Sequence, residues 1–500
     1  MPVPRYPALF QVNTRVRLSE LSSALGRPAT LDDIPDTDIE QWARQGFDWV
    51  WLLGVWQTGR VGPAISRANP EWRREFLELL PDLREVDICG SCFAVQSYTV
   101  HTDFGGDTAL ARLRDRIHAR GMRLLLDFVP NHTAPDHPWV TAYPDFYMPG
   151  SAEQLKREPQ NYCELRLTDG PRILAYGRDP YFPGWPDTLQ LNYAEPKLQE
   201  ALVAEMLRIA EQCDGVRCDM AMLVLPDVFE RTWGRRPPEF WQRAIAAVRD
   251  RHPAFLFMAE VYWDLEWVLQ QQGFDYTYDK RLYDRLRDQR ARPVREHLLA
   301  TPEFQRKSAR FLENHDEPRA AATFEAGVHR AAAVLTFLCP GLRFIHQGQL
   351  EGKRKRIPVH LARGPVEPPD PLLQEFYAAL LGCMADPIVR DGEWRLVECR
   401  PAWDGNWTWD GFIAFSWEGP NNRRMLVAVN YQPNQGQCYV RVPFEDLIGE
   451  TVRLKDRLSS AAYDRPGHDL AVPGLYLDLP AWGYHVFDVE VREGRACGQR

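Results

Sequence analysis

Along the first two thirds of the chain, short apolar runs rich in β-branched and aromatic residues alternate with longer stretches of helical spacing. The runs are Ala8 to Asn13, Trp49 to Val55, Arg123 to Phe128, Gly215 to Asp219, Phe255 to Glu260, Phe274 to Tyr276, Ala309 to Glu313 and Leu342 to His346. Between them, helices are predicted over Asp107 to Arg120, Pro196 to Gln212, Pro238 to Arg251 and Gly327 to Leu338. Alternation of this kind marks βα units on a parallel sheet. Eight repeats point to closure into a (β/α)8 TIM barrel. The run at Phe274 to Tyr276 is the weakest and is read as a strand because the other seven require an eighth.

Two places break the rhythm. From Thr133 to Leu191 the chain is rich in Pro, Tyr, Asp and Gly with no long periodic segment, which predicts an excursion between the third strand and the third helix. Long irregular insertions usually carry function. Beyond Asp391 the helical period gives way to short alternating runs at Phe412 to Trp417, Met425 to Tyr431, Cys438 to Pro443, Thr451 to Asp456, Gly474 to Leu479 and Tyr484 to Val489. These predict a C-terminal antiparallel β-sandwich. The expected organisation is a catalytic α/β barrel over residues 1–132 and 192–390, a short inserted domain B over 133–191, and a sandwich over 391–500.

Length agrees with that division, since 500 residues exceed what one compact core usually holds. The net charge of −9, with no Lys and Arg run long enough to track phosphates, speaks against nucleic acid as a partner. The start MPVPRYPALF lacks an apolar segment behind a basic one, and no stretch of about 18 apolar residues follows, so no membrane association is predicted. Ten scattered cysteines, Cys497 among them, fit reduced thiols and a cytoplasmic location. Cys89 and Cys92 form a lone CxxC, read as two ordinary thiols.

In a barrel of this kind the chemistry sits at the carboxyl ends of the strands. Four ends are loaded: LLLDFVPNH with Asp127, Asn131 and His132; DGVRCDM with Arg217 and Asp219; FLFMAEVYW with Glu260; and RFLENHDEPR with Asn314, His315 and Asp316. Any one acid could cap a helix or pair with a basic neighbour. Four converging on one rim are costly unless used. Arg217 and Asp219 are two residues apart, so a strand places them on one face, where the guanidinium keeps the aspartate ionised. That suits a nucleophile. Glu260 follows five apolar residues, and such a setting favours the protonated form, which suits a general acid. One attacking carboxylate and one proton-donating carboxylate are what retaining glycoside cleavage requires.

These segments resemble, in order and rough spacing, the short conserved regions of the α-amylase family, glycoside hydrolase family 13, through DFVPNH, GVRCD, MAEV and ENHDEPR. The resemblance covers about Tyr6 to Asp386, and the terminal sandwich looks like the family's C-terminal domain. Trp185 to Asn192 resembles a further family region near the end of the inserted domain, and Gly90 to Gly106 resembles the loop before the third strand. The resemblance implies that Asp219 is nucleophile, Glu260 acid/base and Asp316 transition-state stabiliser. It implies that His132 and His315 contact hydroxyls of a bound glucosyl ring and that Arg217 holds the nucleophile. Asp127, Phe93 and Tyr98 join them as candidate substrate-binding residues, Phe93 standing where the family has a stacking Tyr; Tyr98 and Trp263 suit a sugar subsite or ordinary packing, and for isolated aromatics packing is the favoured reading. Met222 and Leu223 stand where many α-amylases carry Lys-His, which removes an acceptor contact and a calcium link. No cofactor or metal is therefore expected, calcium at Asn131 being the alternative to a purely hydrogen-bonding role.

The expected function is retaining hydrolysis of α-1,4-glucans or malto-oligosaccharides through a covalent glycosyl-enzyme. The same residues would serve a transglycosidase of maltosyltransferase or trehalose-forming type, because the choice lies on the acceptor side of the cleft. A non-catalytic carbohydrate-binding barrel is a third reading, opposed by the presence of all three carboxylates. The run Lys353-Arg354-Lys355-Arg356 reads as a solvated loop after the eighth strand, with an anionic acceptor as its functional alternative.

Overall fold

A computed structural model describes residues 3–167 and 170–492. Eight parallel strands close into a barrel: β1 Ala8–Asn13, β2 Trp49–Leu53, β3 Arg123–Phe128, β4 Gly215–Cys218, β5 Leu256–Ala259, β6 Tyr276–Tyr278, β7 Ser308–Arg310 and β8 Leu342–His346. Each strand pairs with its neighbours in sequence, and β8 closes on β1, with Gln11 level with His346 on one side and Trp51 on the other. Barrel strands covered on both faces have no solvent side to alternate towards, so β2 and β4 are buried at every position. That burial is why they read as continuous apolar runs.

The predicted strands differ from the observed ones mainly at β6 and β7. Phe274 is buried but precedes the ladder, and pairing starts with Tyr276 opposite Met258. In the seventh run pairing stops at Arg310, and Phe311 to Glu313 leave the sheet so that Glu313 can meet Arg319 at 2.9 Å. Helix Pro196–Gln212 has the predicted bounds, with Glu195 capping Lys197 N.

The excursion after β3 contains an antiparallel hairpin, Tyr162–Leu167 with Gly170–Ala175, and a two-residue pairing of His132–Thr133 with Leu189–Gln190. A further pair, Trp56–Thr58 with Val95–Val100, follows β2. None of these short ladders is announced by the apolar pattern. After Gly392 the chain forms two antiparallel sheets, one of six strands and one of three, and their facing residues, among them Val397, Phe412, Leu426, Val440 and Phe487, make a second hydrophobic core. Three of the nine strands, Glu393–Val397, Cys399–Arg400 and Ala462–Pro466, lie outside the predicted runs. Tyr431 donates its hydroxyl to Leu286 O and Trp417 its indole N–H to Leu338 O, fixing the sandwich on the barrel.

Among the described residues no helix is long and apolar enough to cross a membrane. Nine cysteines are free thiols, and Cys497 lies outside the described residues.

Candidate active site

The carboxyl ends of β3, β4 and β5 are drawn together by the ladder itself. Arg217 is level with Asp127 on β3 and with Met258 on β5. One step further, Asp219 N donates to Phe128 O at 2.8 Å and Glu260 N to Cys218 O at 3.0 Å. Backbone bonding thus reaches both candidate catalytic residues before the chain turns away. Beyond Asp219 the chain turns sharply: Met220 sits at φ 43, in the left-handed region, and its N–H donates to Glu260 Oε2 at 2.8 Å.

Arg217 organises the site. Fully buried, it donates Nη1–H to Asp219 Oδ1 at 2.6 Å and Nη2–H to Glu260 Oε2 at 2.7 Å, with Asp127 Oδ1 at 3.9 Å. One guanidinium therefore carries the two acids on adjacent strands, through charge-assisted bonds. Its face is covered by Phe93 at 5.0 Å and Trp51 at 5.5 Å. Burial pushes the Asp219 and Glu260 carboxyls above their ordinary range, and Arg217 opposes both rises. For Glu260 the nearby charges of Asp219 and Asp316 add to the rise. Asp316 raises Asp219 as well, so the two acids differ in that Glu260 also feels the charge of Asp219.

Asp127 is pinned by Trp51 Nε1 at 3.2 Å and Gly54 N at 2.8 Å, and burial raises it to about 6 against the pull of Arg217. Gly54 has φ 73, and a Cβ there would press on the Cys92 side chain, so this turn requires glycine. Asp127 thus braces the Arg217 end of the site.

Asp316 is approached from β7. Asn314 Oδ1 accepts from Asp316 N and Glu317 N, forming a turn that presents the Asp316 side chain, 44% exposed, to the cleft. Burial would raise its carboxyl, but His315 Nε2 at 3.0 Å outweighs that and holds it at about 2. His315 Nδ1 pairs with Gln11 Nε2 at 2.9 Å, and its ring meets Trp51 and Phe93 at 5.6 and 5.4 Å. His132, 4% exposed, is held near about 4 by burial and bonds the Phe93 backbone, with the Trp185 ring at 5.3 Å.

Of the predicted site residues, Asp219, Glu260 and Arg217 touch directly, Asp127, Phe93 and His315 pack around them, and His132 and Asp316 join through Phe93 and His315. The Tyr98 ring lies between Trp56 and Phe128, and its hydroxyl both donates to Val129 O and accepts from Val129 N, so it shapes the loop after β3. Asn131 Oδ1 accepts from Gln190 Nε2 at 3.0 Å, tying that loop to Leu189–Gln190. Met222 and Leu223 are buried in a single 3-10 turn. Trp263 sits edge-on to Tyr181 at 5.0 Å, beside the exposed Phe182. Arg356 of the basic run pairs with Glu75 at 2.8 Å, while Arg354 and Lys355 are exposed.

Sequence reasoning missed Tyr262, whose hydroxyl donates to Glu260 Oε1 at 2.8 Å, and Gln11 behind His315. Both carried a signal. Tyr262 lies two residues beyond Glu260, and Gln11 is a polar residue in a strand buried at that position.

The family model for the alpha-amylase catalytic domain matches residues 93–358. Alpha-amylase MalA of Haloarcula japonica is 26% identical over 269 residues, 52% of this chain and 36% of that protein. Trehalose synthase/amylase TreS of Mycolicibacterium smegmatis is 28% identical over 255 residues, 44% of this chain and 41% of its own length. The chain thus spans less than half the length of either curated relative. The crystal structure of the maltogenic alpha-amylase AmyB from Thermotoga neapolitana shares the fold at a TM-score of 0.68 and 17% identity, covering 98% of this chain and 99% of that one. With the matched segment taking in every strand end that supplies the acids, this chain belongs to the alpha-amylase family of glycoside hydrolases and transferases.

Proposed function

We propose that the chain is a retaining α-glycosidase acting on α-1,4-glucans or malto-oligosaccharides, with Asp219 as nucleophile, Glu260 as acid/base and Asp316 as the third carboxylate. The observation that carries this reading is the shared guanidinium: Arg217 orients Asp219 and Glu260 together while burial and neighbouring charge raise Glu260. In the first displacement Glu260 gives its proton to the leaving oxygen while Asp219 attacks the anomeric carbon. In the second, Glu260, now a carboxylate, takes a proton from the incoming hydroxyl, whose oxygen attacks the anomeric carbon and breaks its bond to Asp219. Tyr262 and Met220 N then stabilise that carboxylate. Asp316, ionised by its pairing with His315, supplies negative charge where the oxocarbenium-like transition state develops positive charge. Asp127, His132, His315 and Phe93 would position the sugar. Free thiols at the nine described cysteines support a reducing, cytoplasmic setting.

Transglycosylation is the second reading. It is favoured by the resemblance to a trehalose synthase/amylase and by the buried Met222 and Leu223, which leave the acceptor side without a Lys-His pair. Incubation with maltoheptaose, with and without added glucose or phosphate, separates the two when products are resolved by mass and linkage. Shorter maltodextrins alone indicate hydrolysis. Elongated, phosphorylated or relinked products indicate transfer, and no change in any arm opposes both.

A further inference from the structure

Helix Thr14–Leu25 follows β1, and its second residue, Arg15, is 6% exposed. Its guanidinium donates Nη1–H to Gly90 O at 2.7 Å and to Cys89 Sγ at 3.0 Å, and Nη2–H to Thr58 Oγ1 at 3.1 Å. All three acceptors are uncharged, and among the described residues no carboxylate stands within ion-pair distance of Arg15. Its Nε–H and the second Nη2–H have no acceptor there either. Arg217 and Arg310, equally buried, each face an acid. Arg343 also lacks one, but gives all three nitrogens to the carbonyls of Phe337, Tyr6 and Val389. Arg15 is thus a buried guanidinium with donors to spare, and burial works against its charge unless an anion compensates it.

Arg15 lines a pocket of about 810 Å³ that none of Asp219, Glu260 and Asp316 borders. Leu18, Pro63, Ile88 and Phe104 give it an apolar wall, and Arg67 brings a second guanidinium to the lining, 42% exposed, with Glu85 Oε2 at 3.8 Å and its Nη2–H donated to Ile88 O. The one acid in the lining, Asp103, points outward at 84% side-chain exposure. A volume in the range of small-molecule sites, with few polar groups on an apolar wall, suits a ligand larger than a bare ion. We propose that this pocket binds a small organic oxyanion, a phosphate ester or a carboxylate, with its charged end on Arg15. The Nε–H of Arg15 lies on the edge by which Arg112 grips both oxygens of Asp32 at 2.8 and 2.6 Å, and its Nη2 carries one further hydrogen beyond the one given to Thr58. The site is separated from the catalytic cleft by the segment Gly90 to Phe93, whose first carbonyl Arg15 holds.

Isothermal titration with glucose 1-phosphate and with glucuronate, using glucose as the neutral control, tests the assignment on the whole chain. Arg15→Lys is the direct variant. Because Arg15 is buried and its replacement can unfold the protein, Ser19→Trp, at a half-buried position in the lining whose hydroxyl makes no hydrogen bond among the described residues, blocks the space, and Arg67→Ala removes the second guanidinium. At least one anion should bind the wild type while glucose does not, and Ser19→Trp, melting as the wild type does, should weaken binding by about tenfold or more. Arg67→Ala should weaken it several-fold. Binding of glucose 1-phosphate alone assigns a phosphate ester, and of glucuronate alone a carboxylate. If neither anion binds below about 10 mM, or if Ser19→Trp and Arg67→Ala bind as the wild type does, the proposal is overturned.

Discussion

Tyr262 donates its hydroxyl to Oε1 of Glu260 at 2.8 Å, the one oxygen of that carboxylate that Arg217 does not engage. A hydrogen bond to the ionised form favours it, so Tyr262 counters the rise that burial imposes on Glu260. In Tyr262→Phe the glutamic acid should keep its proton to higher pH. The alkaline limb of kcat/KM should therefore move up, with kcat falling about 2- to 10-fold because the carboxylate formed later is less stable. A limb that stays in place would make Tyr262 a packing residue only.

Asp219→Ala and Glu260→Gln should fail differently. Without Asp219 no glycosyl-enzyme forms, whatever the leaving group. Without the acid at Glu260, a glycosyl fluoride still departs unaided, so the covalent intermediate should accumulate and be detectable by mass spectrometry. Azide, which needs no deprotonation, should restore turnover of the fluoride in Glu260→Gln with retained configuration. A folded variant that azide does not rescue would move the acid role to another residue.

Removing the guanidinium at Arg217 leaves Asp219, Glu260 and Asp127 buried without a counter-ion. Arg217→Met should cost about 3–5 kcal/mol near pH 8. The sign with pH follows from the raised carboxyls: when folded-state pKa values lie above unfolded ones, the native state binds more protons, and stability is gained as pH falls through the folded values. The deficit should therefore shrink at pH 5, where protonation neutralises the acids, as urea unfolding at both pH values will measure. A deficit equal at pH 5 and pH 8 would contradict the electrostatic account.

Tyr98 offers a test of support against substrate contact. Tyr98→Phe leaves Val129 N–H and C=O without their partner, so stability should fall by about 1–3 kcal/mol. KM for a malto-oligosaccharide should change less than twofold, about the scatter of such measurements. A raised KM at unchanged stability would restore Tyr98 to the subsite.

Asn131 makes its bonds to Gln190 within the protein. If that is its whole role, a chelator should leave the melting temperature unchanged, and so should a reductant, because the described cysteines are free. Loss of several degrees with chelator, restored by calcium, would assign Asn131 to a metal.

What the sequence determined by itself is the part written in local periodicity and in residues adjacent along a strand. Barrel strands buried on both faces must be continuous apolar runs, so seven of the eight were plain, and the eighth followed from closure. Arg217 and Asp219 share a face because alternate residues on a strand do, whatever surrounds them. Only the tertiary structure decided what lies between strands. Register alone brings Arg217 level with Asp127 and within reach of Glu260, 43 positions away in sequence. Short ladders such as Tyr162–Leu167 with Gly170–Ala175 carry too few alternations to announce themselves. That Tyr98 supports the loop after β3 follows from Trp56 and Phe128 closing on its ring and from its two bonds to Val129. Nothing in the sequence singles out Arg15. Its lack of an acid is a fact about the neighbours that folding brings to it, and a neighbour's absence leaves no mark on the chain.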